Sequence, residues 1–186
     1  MVLKRVYLAM LTNIFLRAFV FYLYSLLMIF DFTHAKTSQN WYPLNDTVMG
    51  GVSSSSVKYT EGDGMRFSGF VSTENNGGFC MIKSPGVNID CEAKSHIVCY
   101  LKGDGKQYQI RIKSNPQQPY SYVLNFKTSG NWERLAFPLE KFEAQFRGRV
   151  LDMPNFNAPT ITEVAILIGN KKNEKFQLDI KWMGIE

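Results

Sequence analysis

Apolar and polar residues alternate with a period of two in four separate windows of the chain. Met65, Phe67, Gly69 and Val71 share one parity, with Arg66 and Ser68 on the other. Tyr108, Ile110 and Ile112 alternate with Gln109, Arg111 and Lys113, and Tyr122, Leu124 and Phe126 with Val123, Asn125 and Lys127. Phe176, Leu178, Ile180 and Trp182 alternate with Gln177, Asp179 and Lys181. This periodicity predicts strands with one face buried and one wet. Shorter apolar runs at 79–83, 97–102, 135–137 and 164–168 predict core strands. Turn-forming clusters separate them, among them Gly62-Asp63-Gly64, Asn75-Asn76-Gly77-Gly78, Gly103-Asp104-Gly105 and Ser129-Gly130-Asn131. Only 139–146 has helical spacing, enough for about two turns. The pattern predicts an all-β sandwich, with strands from both ends of the chain closing one core.

The first thirty-five residues are different material. Lys4, Arg5 and Arg17 are their only basic groups and Asp31 their only acid, and residues 18–30 carry no charge. A basic start, an apolar helix and the small-residue ending at Ala35 fit a secretory signal peptide, with a mature N-terminus at Lys36. The rival is a membrane anchor over residues 6–30, in which Arg17 near the middle costs about 2.5–3.5 kcal/mol. Either divides the chain into 1–35, leader or anchor, and 36–186, one sandwich domain. Either also delivers the domain out of the cytoplasm, to a periplasmic or secreted location.

With 186 residues there is room for one ordinary domain. The formal charge is +5, but residues 36–186 hold 18 basic and 15 acidic groups. A balance of +3 without a clustered basic face excludes nucleic acid as the expected partner. Cys80, Cys91 and Cys99 include no Cys-x-x-Cys pair, and His34 and His96 stand alone, so no metal site or cofactor is expected. Cys91 and Cys99 are close enough in sequence to pair, and their state stays open. Ser53–Ser56 lack a suitable histidine for a triad, and Gly103-Asp104-Gly105-Lys106 lacks the rest of a phosphate loop. The reading is of a protein that is not an enzyme.

Two loops are richer than turn-making requires. One is Asn45-Asp46-Thr47-Val48-Met49-Gly50-Gly51-Val52-Ser53, entered from Trp41. The other is Glu74-Asn75-Asn76-Gly77-Gly78-Phe79. Gly50, Gly51, Gly77 and Gly78 supply loop geometry. Asp46, Asn75, Asn76 and Asp104 are the candidate ligand- or partner-binding residues. Such side chains suit a sugar hydroxyl and equally suit the backbone donors of their own loops.

Those two loops, with Leu101-Lys102-Gly103-Asp104-Gly105-Lys106-Gln107-Tyr108, Trp132, the Pro138-x-x-x-Phe142 spacing and Phe146-Arg147-Gly148-Arg149, resemble the complex I intermediate-associated protein family from about Trp41 onward. The resemblance implies a jelly-roll β-sandwich of the galactose-binding-like type. It also implies a non-enzymatic, chaperone-like assembly factor that acts on a protein partner, such as a membrane complex, here at the cell envelope. The alternative implied by the fold is a carbohydrate-binding module. A protein-binding role predicts an exposed apolar patch, for which Tyr42, Tyr120 and Phe156 are candidates.

Overall fold

A computed structural model describes residues 26–34 and 41–186. Among them lie thirteen strands in two antiparallel sheets. The first six are β1 (Leu27–Asp31), β2 (Tyr42–Asn45), β3 (Ser54–Thr60), β4 (Gly64–Val71), β5 (Cys80–Asp90) and β6 (His96–Lys102). Then come β7 (Gln107–Lys113), β8 (Ser121–Lys127), β9 (Trp132–Pro138), β10 (Glu143–Phe146), β11 (Arg149–Val150), β12 (Thr160–Ile168) and β13 (Glu174–Ile185). The six-stranded sheet runs β3-β4-β13-β6-β9, with β1 also paired to β13. The seven-stranded sheet runs β11-β10-β8-β7-β12-β5-β2. Their inner faces meet in one core that contains Phe67, Ile82, Leu101, Tyr108, Ile110, Ile166 and Leu178.

The alternating windows are strands, and their apolar parity faces the core as the period requires. In β13 the parity breaks. A bulge between Ile180 and Trp182 sets two β13 residues against one step of β6, from Leu101 to Tyr100. Phe176, Leu178 and Ile180 therefore point inward, and so do Met183 and Ile185. Trp182 points outward instead and stacks on Tyr100 at 5.9 Å, and Trp132 stacks on the other side at 5.4 Å. The short helix expected at 139–146 is also replaced. Leu139–Lys141 makes one 3-10 turn and Glu143–Phe146 is β10, because pairing with β8 and burial of Phe142 and Ala144 outweigh a weak helical spacing.

The sandwich begins earlier in the chain than the strand pattern suggested. The apolar helix expected at the N-terminus falls mostly outside the described residues, but its end, Leu27–Asp31, is a strand. β1 pairs Phe30 with Met183 and Asp31 with Trp182. Phe30 and Phe32 stack at 5.7 Å, and Trp41 packs edge-on against both, at 5.3 and 5.6 Å. Phe32 N–H donates to Lys181 O at 2.8 Å, and Gly62 N–H to Thr33 O at 3.2 Å. β1 lies in line with β4 along the same side of β13, so it covers the half of β13 that β4 leaves unpaired. Among the described residues no helix is long and apolar enough to cross a membrane.

All three cysteines are buried free thiols, so Cys91 and Cys99 are not joined. Burial pushes Cys80 up to about 12 and Cys91 to about 11, and it drives fully enclosed Cys99 further in the same direction. Such thiols are inert packing groups at neutral pH.

Phe32 is 0% exposed, so Phe32→Ala is expected to cost about 3–5 kcal/mol in denaturant unfolding. A chain that starts at Lys36 lacks β1 and should melt well below one that starts at Leu26. Equal melting temperatures would show that β1 contributes nothing to the sandwich.

Candidate functional site

The two glycine-rich loops meet around one carboxylate. Asp46 follows β2 and opens a 3-10 turn, Asp46–Met49, which Gly50 ends in the left-handed region at φ 89°. The chain doubles back, and Gly51 N–H donates to Asp46 O at 3.1 Å. Asp46 itself is 1% exposed. Its Oδ1 accepts from Ser53 N–H at 3.0 Å, and its Oδ2 accepts from the Ser53 hydroxyl, from Gly78 N–H at 2.6 Å and from Phe79 N–H at 3.2 Å. Ser53 Oγ in turn accepts Ser72 N–H at 2.9 Å. Asp46 thus joins the Asn45–Ser53 loop to the Glu74–Phe79 loop.

The glycines make room for that carboxylate. A Cβ on Gly51 would overlap the Asp46 carboxyl, and one on Gly77 would sit 2.6 Å from Asp46 Oδ2. Burial alone would raise the Asp46 pKa. The hydrogen bonds from the Ser53 hydroxyl and from the N–H groups of Gly78, Phe79 and Ser53 outweigh it and hold the carboxyl below its usual range.

Asn75 and Asn76 occupy the same loop in left-handed conformation, at φ 53° and 60°. Both are exposed, and their side chains make no hydrogen bond among the described residues. Asp104 lies apart from Asp46, in the turn between β6 and β7. It accepts from Lys106 Nζ at 2.6 Å, Tyr108 Oη at 2.9 Å and Gln177 N–H at 3.0 Å, which ties that turn to β13. Burial works against its ionisation, but these donors and the Lys106 charge hold its pKa down.

A third segment, residues 169–173, bridges the two places, and the sequence marked it only by Lys171-Lys172. Asn173 Oδ1 accepts Thr73 N–H at 2.8 Å, and Asn170 Nδ2 donates to Gln107 O at 3.1 Å and to Glu174 Oε1 at 2.7 Å. The Asp46 loops, the Asp104 turn and this bridge therefore form one end of the sandwich.

The outer face of the seven-stranded sheet opens beside that end. Strand register places Glu143, Val123, Arg111, Ala165, Lys83 and Tyr42 in one row, and Asn125, Gln109, Leu167, Met81 and Leu44 in the next. Val123 and Ala165 are almost fully buried although they point away from the core, so long polar side chains close over an apolar floor. Gln109 links Asn125, at 3.1 Å, to Arg111, at 2.9 Å, while Lys83 pairs with Glu163 at 3.1 Å and lies 5.7 Å from the centre of the Tyr42 ring. Arg111 makes that one side-chain hydrogen bond among the described residues, which leaves most of its five donors unused. Sequence reasoning missed this face because its residues were the polar partners in strand windows. The signal available was the amide- and cation-rich parity of β7.

Two substitutions test the clamp. Asp46→Ala leaves the N–H groups of Ser53, Gly78 and Phe79 unpaired, at about 1–3 kcal/mol each, while the Ser53 hydroxyl keeps Ser72 O as an acceptor, and it should unfold the loop end or the whole domain. Because the folded carboxyl has a depressed pKa, its stabilisation is complete above the unfolded value of about 4 and is lost as pH falls through the folded one. The stability gap between the natural protein and Asp46→Asn should therefore be widest at neutral pH and narrow in acid. Urea midpoints across pH measure it, and a constant gap would remove the ionised form from the account.

Several solved structures share the fold. A family 11 carbohydrate-binding module from Clostridium thermocellum, in complex with a β-1,3-1,4-mixed-linked tetrasaccharide, is 19% identical with a TM-score of 0.65. The match covers 86% of this chain and 94% of that one. A family 11 carbohydrate-binding module of the cellulosomal cellulase Lic26A-Cel5E of Clostridium thermocellum is also 19% identical, with a TM-score of 0.63 and coverage of 86% and 94%. An agarase is 12% identical with a TM-score of 0.56, and the match covers 87% of this chain and 24% of the agarase. These likenesses show a shared jelly-roll β-sandwich fold. No curated protein matches the chain. The model of one family, described as complex I intermediate-associated protein 30 (CIA30), matches residues 30–180, from the first core phenylalanine of β1 to the bulge in β13. The chain belongs to that family.

Proposed function

We propose that this protein is a non-catalytic binding factor that holds a protein partner during assembly of a larger, membrane-associated complex. Membership of the complex I intermediate-associated family carries the reading. A surface suited to it lies at one edge of the seven-stranded sheet. There β10, the two-residue strand β11 and the segment after it expose Phe146, Val150 and Met153, at 41%, 62% and 40%, with Arg147 5.3 Å from the Phe146 ring centre. Of the aromatic residues singled out from sequence, Tyr42 is exposed, Tyr120 is half-buried against Tyr122, and Phe156 is buried at 4%. The uncharged residues that precede β1 support an extracytoplasmic location for the partner, and the membrane contact expected of residues 6–30 falls to the part before β1, since Phe30 is buried in the sandwich. The committed state of Asp46 and Asp104 supports a binding role over acid–base chemistry, since the donors around both carboxylates are internal.

A second reading, carbohydrate binding, is favoured by the outer face of the seven-stranded sheet. Its amides and guanidinium offer donors and acceptors together, and Tyr42 offers a ring at the end of the row. The two readings use different surfaces.

Crosslinked co-purification of tagged full-length protein from its own envelope should enrich subunits of one membrane complex. Phe146→Ser with Val150→Ser should abolish that enrichment with little change in melting temperature, because both side chains are exposed. Enrichment that survives the double substitution would rule out the hairpin as the docking surface. Enrichment of no protein would overturn the assembly reading.

A further inference from the structure

We infer that the cleft at the loop end of the seven-stranded sheet binds an acidic polysaccharide, one whose sugar rings carry carboxylates as well as hydroxyls. The inference rests on the carbohydrate reading and names its ligand class. The cleft, of about 530 Å³, lies on the outer side of β7, β8 and the 169–172 segment. Lys106, Gln107, Gln109, Asn125, Asn170 and Lys171 line most of it. Gln109 continues through its hydrogen bond to Arg111, so the cleft opens onto the row that ends in Tyr42.

The chemistry of the lining selects the ligand. Four amides present a carbonyl and an NH2 group each, the combination that pairs with sugar hydroxyls. Three lysines join them when Lys172 is included, and no carboxylate lines the cleft. The acids nearby are turned to internal work. Asp104 is held by Lys106, Tyr108 and Gln177, and buried Glu174 accepts from Asn170 and pairs with Lys172 at 3.4 Å. Lys106 and Lys172 thus have their counter-charges within the protein, and a neutral glycan would leave Lys171 without one. A uronate would meet Lys171, which is exposed in left-handed conformation at φ 57° and has no ion-pair partner among the described residues. Further along the groove Arg111 offers the planar fork that carboxylates fit; burial lowers its pKa, and the one carboxylate that opposes this, Glu163, is itself bonded to Lys83.

Affinity electrophoresis and calorimetry on the full chain test this with three probes: polygalacturonate, neutral mixed-linked β-glucan and inorganic polyphosphate. Polygalacturonate should retard the protein, and added salt should weaken the effect. Lys171→Asn keeps a residue suited to left-handed backbone, so folding is preserved, and it should weaken binding about fivefold. Gln109→Ala removes the link to Arg111 and should weaken it comparably without loss of salt dependence. Binding of the neutral glucan alone would overturn the acidic assignment and leave the carbohydrate reading standing. Polyphosphate bound as tightly as polygalacturonate would overturn it too, by reducing the cleft to a charge sink. Binding of none of the three would overturn both.

Discussion

One buried carboxylate sets the geometry from which the loop end of this sandwich is built. Asp46 is taken out of water, at a cost that only several good hydrogen bonds can offset. Ser53 supplies two donors from its own loop, and Gly78 and Phe79 supply two from a loop some thirty residues further on. Each donor is in place only if both loops are in place. Gly51 and Gly77 follow from that demand, because any side chain there would occupy the space of the carboxyl group. The exposed Asn75-Asn76 pair, both left-handed, is the tip that results when the second loop must turn sharply to aim two N–H groups inward.

A second constraint is closure of the chain on itself. β13, near the C-terminus, is the spine of the six-stranded sheet, with β4 and β1 on one side and β6 on the other. β1 covers the stretch of β13 that β4 leaves open, and its Phe30, with Phe32 just beyond it, seats Trp41 at the entrance to the Asp46 loop. The N-terminal strand thereby connects the spine to the carboxylate clamp. The bulge that lets β13 serve neighbours in two registers turns Trp182 out of the core. Stacking beside Tyr100 and Trp132 shelters part of that ring on the outer face.

Strands that bury one face were legible because their alternation is a direct record of the pleat, as at Tyr108–Lys113. The bulge in β13 was not legible, since Trp182 continues the inward parity in sequence and only the pairing with Leu101 and Tyr100 breaks it. β1 was hidden by its neighbours in sequence. An uncharged run of thirteen residues reads as one apolar segment, and nothing local shows that its last residues pair with a strand 150 positions away. Asp46 and the paired glycines were recognisable as special, but their purpose was not. A carboxylate that holds a ligand and one that holds a loop have the same composition and the same turn-forming neighbours, and only the four donors around Asp46 tell them apart.

That distinction bears on what family membership can say about partners. The motif residues that carry the resemblance to the complex I intermediate-associated proteins are largely consumed by the fold. Asp46 and Asp104 are saturated by internal donors, Trp41 is buried, and Gly51 and Gly77 are fixed by contact with Asp46. The clamp within that motif specifies a scaffold, and it leaves Asn75 and Asn76 exposed at the tip. Unused bonding capacity and exposed apolar surface lie at the Asn75-Asn76 tip of the second loop, at Arg111 and Gln109 on the sheet face, at Lys171 in the cleft, and at Phe146 and Val150 in the hairpin. Surface positions of this sort can change with little cost to stability, whereas the clamp cannot. Proteins that share the clamp are therefore free to differ in what they bind, since a shared fold does not set the ligand.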